Sequence, residues 1–284
     1  MELKEMAPEP VAHYKPVEGI EKPSGNLSWL NPRIVKISLR KVQKYSIWPL
    51  VVYFPLHAIN TLITPSISPE SAPNDVLMMV RAILPGFTSV LLTASVTAHL
   101  ASGLILRAWT VASRWRQPKR GKNVPQDSRE LESQRKIGLI GGLSGYFVGI
   151  SKQLSYNPQV VSGLILAPAF FYHTRLMKKI PQAQGFDVDF DFVKWILQND
   201  SAIVKWFGGI IPLTVLIWAA SYHFGAGICQ YARIRRLSGR KAMTTLIFGL
   251  TTTGVLGLWR MAKSAPVFEA ADYQLILRKA FLRL

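Results

Sequence analysis

Residues 43–57 read QKYSIWPLVVYFPLH and residues 159–173 read QVVSGLILAPAFFYH. Both stretches open on glutamine and end on histidine, so Gln43, Ser46 and His57 stand in the register of Gln159, Ser162 and His173. A second histidine follows in each half, as His99-x2-Ser102-Gly103 and His223-x2-Ala226-Gly227. The segment after it also starts alike, with Ser133-x-Arg135-Lys136 and Ser238-x-Arg240-Lys241. Four of the five histidines thus lie in long apolar stretches at matched positions. An imidazole in hydrocarbon is costly and marks function by default. Four in repeated register ask for a shared partner, and the simplest is haem iron.

The chain has 284 residues, is 49% hydrophobic and carries a formal charge of +18, with a mean hydropathy of +0.19. Long apolar runs flanked by Lys and Arg satisfy both facts, because basic residues collect at membrane boundaries. The pattern predicts an all-α membrane protein with spans at 45–64, 83–106, 137–152, 159–176, 204–232 and 242–260. The third is short and rich in glycine (Gly138, Gly141, Gly142, Gly145, Gly149), a composition that lets helix backbones approach closely. Because the basic residues abut these spans, their counterpart is anionic lipid headgroups and not nucleic acid. A lone cysteine, Cys229, excludes an internal disulfide framework and a Cys-based metal site.

Three spans per half would invert the second half relative to the first. The expected fold is therefore a six-helix bundle of inverted 3+3 repeats (33–152 and 153–262), with its site between the halves. Lys and Arg then divide 27 to 7 between the two faces, which predicts both termini in the cytosol. Depth counted at about 1.5 Å per residue pairs His57 with His223 and His99 with His173. The other symmetric pairing, His57 with His173 and His99 with His223, stays open. Haem b held by two histidines from facing helices, as one or two groups, fits either. Gly103 and Gly227, one turn after a histidine, would leave room for the macrocycle. Ser46, Ser102 and Ser162 serve as its contacts or as hydrogen-bond partners of the imidazoles. Arg40, Arg107, Arg175 and Arg233 at span ends reach haem propionates or snorkel to headgroups.

Residues 1–32 contain Pro8, Pro10, Pro16, Pro23 and Pro32 and few large apolar residues, the composition of a disordered tail. Acidic residues such as Glu2, Glu5 and Glu9 argue against a cleaved matrix presequence. A basic amphipathic stretch, 33–44, leads into the first span. Asp187, Asp189 and Asp191 alternate with apolar residues, either as a cation site or as the acidic start of a short helix through Trp195, Ile196 and Leu197. Residues 263–284 end in a helical pattern from Tyr273 that reads as an interfacial amphipathic helix. No Walker loop, GxSxG, HExxH or acidic pair within a span is present, so nothing in the chain suggests hydrolysis or a proton-coupled carrier.

The Ser46-x10-His57 and His-x3-Gly segments resemble the cytochrome b anchor subunits of succinate dehydrogenase and fumarate reductase, which occur as three-span subunits or as a five-span form with two haems. Over most of its length, from the Arg40-Lys41-x-Gln43-x2-Ser46 entry onward, the chain also resembles a family of fungal multi-span proteins of the mitochondrial outer membrane. Those proteins are suppressors of lost endoplasmic reticulum–mitochondria tethering. In that family a Pro-x-Pro motif is read by bridge-like lipid-transfer proteins, and Leu3-x2-Met6-x-Pro8-x-Pro10 fits it. The resemblance implies lipid homeostasis, recruitment of such a bridge through residues 1–12, and scrambling of lipid by the bundle. A candidate path is the polar seam Thr244, Thr245, Thr251, Thr252 and Thr253. The oligomeric state is not encoded in any motif of the chain.

Overall fold

The computed structural model describes residues 32–116, 158–268 and 271–281. Every regular element among them is helical. Five helices are long and apolar enough to cross a membrane: α1 (Pro32–Ile67), α3 (Thr88–Arg116), α4 (Pro158–Ala183), α6 (Val204–Tyr231) and α7 (Leu237–Lys263). They match the predicted first, second, fourth, fifth and sixth spans. The predicted third span lies outside the described residues, as does the tail with Leu3, Met6, Pro8 and Pro10. Three shorter helices complete the fold: α2 (Ala72–Ile83), α5 (Phe190–Gln198) and α8 (Ala271–Phe281). Large apolar side chains such as Val52, Val90 and Phe171 point outward along the spans, as they would toward lipid.

Proline shapes the long helices. A proline has no N–H and its ring collides with the carbonyl four residues back. α1, α4 and α6 each widen into π-helical turns just ahead of one: Ile59–Ile63 before Pro65, Arg175–Lys179 before Pro181 and Val204–Ile210 before Pro212. The wider turn moves the carbonyl out of the way, and such turns gather at functional sites. In α1 and α4 it starts two residues after His57 and His173, so the two halves share this local geometry.

Contacts between elements fix their directions. Near the start of α1, the Gln43 carbonyl accepts from His99 on α3; near the start of α4, the Gln159 carbonyl meets His223 on α6. The His99 and His223 rings lie together, which puts the starts of α1 and α4 at one end of the bundle. At the opposite end Gly254, Gly257 and Arg260 of α7 meet Leu62, Pro65 and Ser66 of α1. The segments after α1 and after α4 are bound to each other there. Asn74 Oδ1 accepts from the Phe190 N–H at 2.9 Å, Lys194 donates to the Glu70 carbonyl at 2.6 Å, and Arg81 donates to the Val188 carbonyl at 2.9 Å.

α1 and α4 therefore run the same way, as do α3 and α6. This corrects the expected topology. The described helices of the two halves thus repeat in the same direction and are not inverted. Arg116 and Pro158 lie at the same end. Pro32 and α8 lie at opposite ends of the bundle.

The end that carries α8 is capped by protein. Asp189 N-caps α5 by accepting from the Asp191 N–H at 3.0 Å, which realises the acidic helix start. Lys194 is buried beside Asp191 at 3.1 Å. The apolar stripe of α8, Ile276, Leu277 and Ala280, packs on Leu176, Phe192 and Trp195, so the face expected to meet the membrane surface is covered by the protein itself. The core below joins Ala58, Leu62, Phe190, Leu197, Ile217, Leu258 and Met261 from α1, α5, α6 and α7.

Two outcomes follow. In sealed vesicles with a Cys229→Ala background, Ser71→Cys and Ser201→Cys are labelled by an impermeant maleimide from one side and Ser238→Cys from the other. Inverted halves would instead put positions 71 and 201 on opposite sides. Second, a Cβ at Gly254 meets Ile217 at 2.9 Å and Leu62 at 3.0 Å, whereas Gly249 has open space. Gly254→Val is expected to cost about 1–3 kcal/mol of stability through overpacking, read as a lower Tm in detergent, with Gly249→Val well below that.

Candidate functional site: two histidine pairs between the halves

The four histidines form two pairs, and each pair joins one half to the other. The His57 and His173 rings have centroids 6.1 Å apart and planes at 65°; the His99 and His223 rings are 6.3 Å apart at 81°. Of the two symmetric pairings, the structure adopts the one that counting of depth disfavoured. That count took the second half upside down, and restoring a common direction for α1 and α4 brings His57 level with His173.

At the His99/His223 pair, both rings are oriented by backbone. His99 Nδ1 donates to the Gln43 carbonyl at 2.9 Å, and His223 Nδ1 to the Gln159 carbonyl at 3.2 Å. A carbonyl only accepts, so Nδ1 carries the proton in each and Nε2 keeps its lone pair. Ser162 Oγ lies 3.2 Å from His223 Nδ1 and donates to the Gln159 carbonyl at 2.9 Å. Gln159 Nε2 in turn donates to the His223 carbonyl at 2.8 Å. Ser46 is further off, with its Oγ at 3.4 Å from the Gln43 carbonyl while its own carbonyl accepts from Ser95. Ser102 donates to the carbonyls of Ala98 and His99 within its helix.

The His57/His173 pair is held more loosely. His57 Nδ1 has the Tyr53 hydroxyl at 3.4 Å, with the two rings stacked 5.3 Å apart. His173 Nδ1 is buried with no hydrogen-bond partner among the described residues. Between the pairs, Phe54 of α1 stacks on Phe224 of α6 at 4.2 Å.

Two imidazoles are too few for a bare ion, and no group of three or more His, Cys, Asp or Glu among the described residues could hold one. They suffice for an iron whose other four ligands come from a macrocycle. Two imidazoles on one iron need roughly 2 Å of bond and about 1.1 Å from nitrogen to ring centre on each side, about 6 Å in all. Both pairs have that separation, and second-shell Nδ1–H donors to carbonyls are what orient such ligands. In ring separation, the two pairs match what two imidazoles on one haem iron would need.

Other expected site residues are placed differently. A Cβ at Gly103 would meet the Gln43 amide at 3.0 Å, and one at Gly227 the Gln159 amide at 3.3 Å. Each of these glycines makes room for a glutamine side chain. Gly163 makes room for an imidazole, since a Cβ there would lie 2.9 Å from the His223 ring. Arg175 donates to the Lys279 carbonyl, away from both pairs. Thr244, Thr245 and Thr251 donate to carbonyls four residues back in α7. Sequence reading missed Tyr53 and Phe224, which carried no repeated signal, and Phe54, whose counterpart in the second half is Phe170. It also missed the role of Gln43 and Gln159, although their repetition was visible.

No solved structure matches the chain. Similarity to the curated Mitochondrial adapter protein MCP1 of Saccharomyces cerevisiae is 44% identity over 223 residues, covering 78% of this chain and 73% of that protein. A family model described as the MDM10-complementing protein 1 transmembrane domain matches residues 52–155 and 168–264. Each matched stretch begins five residues before a paired histidine, His57 or His173, and contains one half of the site. With a repeated helical unit, its histidines and a relative this similar, the chain belongs to the family of the MDM10-complementing protein 1 transmembrane domain.

Proposed function

We propose that this protein is an adaptor of the mitochondrial outer membrane whose bundle holds two haem b groups. One lies between His57 and His173, the other between His99 and His223. The observation that carries the haem reading is the pair of cross-half ring separations, 6.1 and 6.3 Å. When bound, haem supplies a one-electron iron couple; the chain supplies axial imidazoles and their orientation. Because the two pairs lie at different depths, electron passage or redox sensing across the bundle is the companion reading to a purely structural haem.

The adaptor reading is supported by the relative named as a mitochondrial adapter and by Leu3, Met6, Pro8 and Pro10 in the tail. An extended segment with two prolines and two apolar anchors docks at low ordering cost. Basic residues flanking the spans at the Pro32 end, among them Lys36, Arg40, Lys41, Arg235 and Arg236, favour that end and the tail in the cytosol. The partner is a bridge-like lipid-transfer protein, and the bundle receives the lipid it delivers.

Deleting residues 1–12, or changing Pro8 and Pro10 to Ala, is expected to abolish recruitment of the lipid-transfer protein while membrane insertion is unchanged. Retained recruitment refutes the adaptor role. For the bundle, the protein purified in detergent is expected to show a Soret band and a sharp reduced α-band, with about two haems per chain by pyridine haemochrome. His57→Ala and His99→Ala each lower that to about one. Absence of a Soret band after haem-supplemented expression refutes the haem reading and leaves the adaptor role standing.

A further inference from the structure

We infer that the two histidine pairs hold iron couples of unequal potential, with the His99/His223 pair the more reducing. This rests on the haem reading above and on a difference between the pairs that the repeat alone does not predict. The two halves match in helix direction, histidine register, π-turn and proline. They do not match in what holds Nδ1.

At His99 and His223, Nδ1–H donates to a backbone carbonyl in each half, Gln43 at 2.9 Å and Gln159 at 3.2 Å, with Ser162 Oγ also within 3.2 Å of His223. Neither carbonyl belongs to a rotatable side chain, so both acceptors are fixed by the helices. Donation of Nδ1–H makes the imidazole a stronger electron donor through Nε2, and a stronger axial donor stabilises ferric over ferrous iron. That lowers the potential.

At the other pair the same support is missing. The Tyr53 hydroxyl lies 3.4 Å from His57 Nδ1, at the weak limit of a hydrogen bond, and a hydroxyl can donate there as well as accept. His173 Nδ1, buried, has no partner among the described residues. Its Nδ1–H donates to no fixed carbonyl, so the ring is a poorer donor to iron. Both imidazoles of one pair therefore carry the effect and neither of the other does, which adds the two contributions and does not cancel them.

The test is a spectroelectrochemical titration of the full-length protein in detergent. Two one-electron waves of equal amplitude are expected. At any one potential the ratio of reduced to oxidised haem should differ at least tenfold between the sites, about 59 mV for one electron. His57→Ala, which removes the far pair, should leave only the lower wave, and His99→Ala only the higher.

Milder variants give the assignment should either alanine protein fail to fold. Ser162→Ala is expected to shift the lower wave alone, and Tyr53→Phe the higher wave alone. Coincident waves, or variants that assign the lower wave to His57/His173, overturn the inference while leaving haem binding intact. Absence of haem in the wild-type protein overturns the underlying reading instead, so the two failures are distinct.

Discussion

A neutral imidazole has one N–H and one lone pair, and inside a membrane there is no water to satisfy either. Four such rings set the terms for this bundle. Two of them give their N–H to backbone carbonyls of a neighbouring helix, at Gln43 and Gln159, and this ties α1 to α3 and α4 to α6 at equivalent depth. The partner of each of these rings comes from the other repeat. Neither half can complete a pair alone. The association of the halves and the chemistry of the site are one constraint.

Direct repetition follows from that arrangement and gives the molecule two different ends. At the Pro32 end the rings are held by helix backbone. At the other, the chain builds a cap: α2 and α5 bind each other and the ends of α1, α4 and α7 through Asn74, Lys194, Arg81 and Gln198, and α8 packs its apolar stripe on Leu176, Phe192 and Trp195. Lys194 is tolerated in that cap because Asp191 and the Glu70 carbonyl both meet its ammonium. Burial of Phe192 and Ile276 there contributes of order 1.5–3 kcal/mol each, so the cap is part of the folded unit and not a loosely attached surface segment.

Much of this was legible in the sequence. The four histidines, their register, the five described spans and the Asp189-led helix all carry local signals: apolar length, matched spacing and a capping residue. The relative direction of the halves did not, because a direct and an inverted repeat have the same spacings. It turned on whether the glycine-rich 137–152 segment counts as one crossing, and apolar length alone could not decide that. The protein-facing side of α8 was hidden for a similar reason, since an amphipathic helix has the same pattern whether Phe192 or lipid covers it. Spacing singles out Gly103 and Gly227 as small without saying which neighbour requires it, and Gln43 and Gln159 are the side chains that lie against them.

The central claim, that each histidine of one half faces one particular histidine of the other, is open to a direct chemical test. Double replacements by cysteine in a Cys229→Ala background, treated with a short bifunctional thiol reagent and cut between the halves, report which positions face each other. The account predicts crosslinked halves for His57→Cys with His173→Cys and for His99→Cys with His223→Cys, and separate halves for the exchanged combinations. Efficient crosslinking of position 57 to 223 and of 99 to 173 would contradict it.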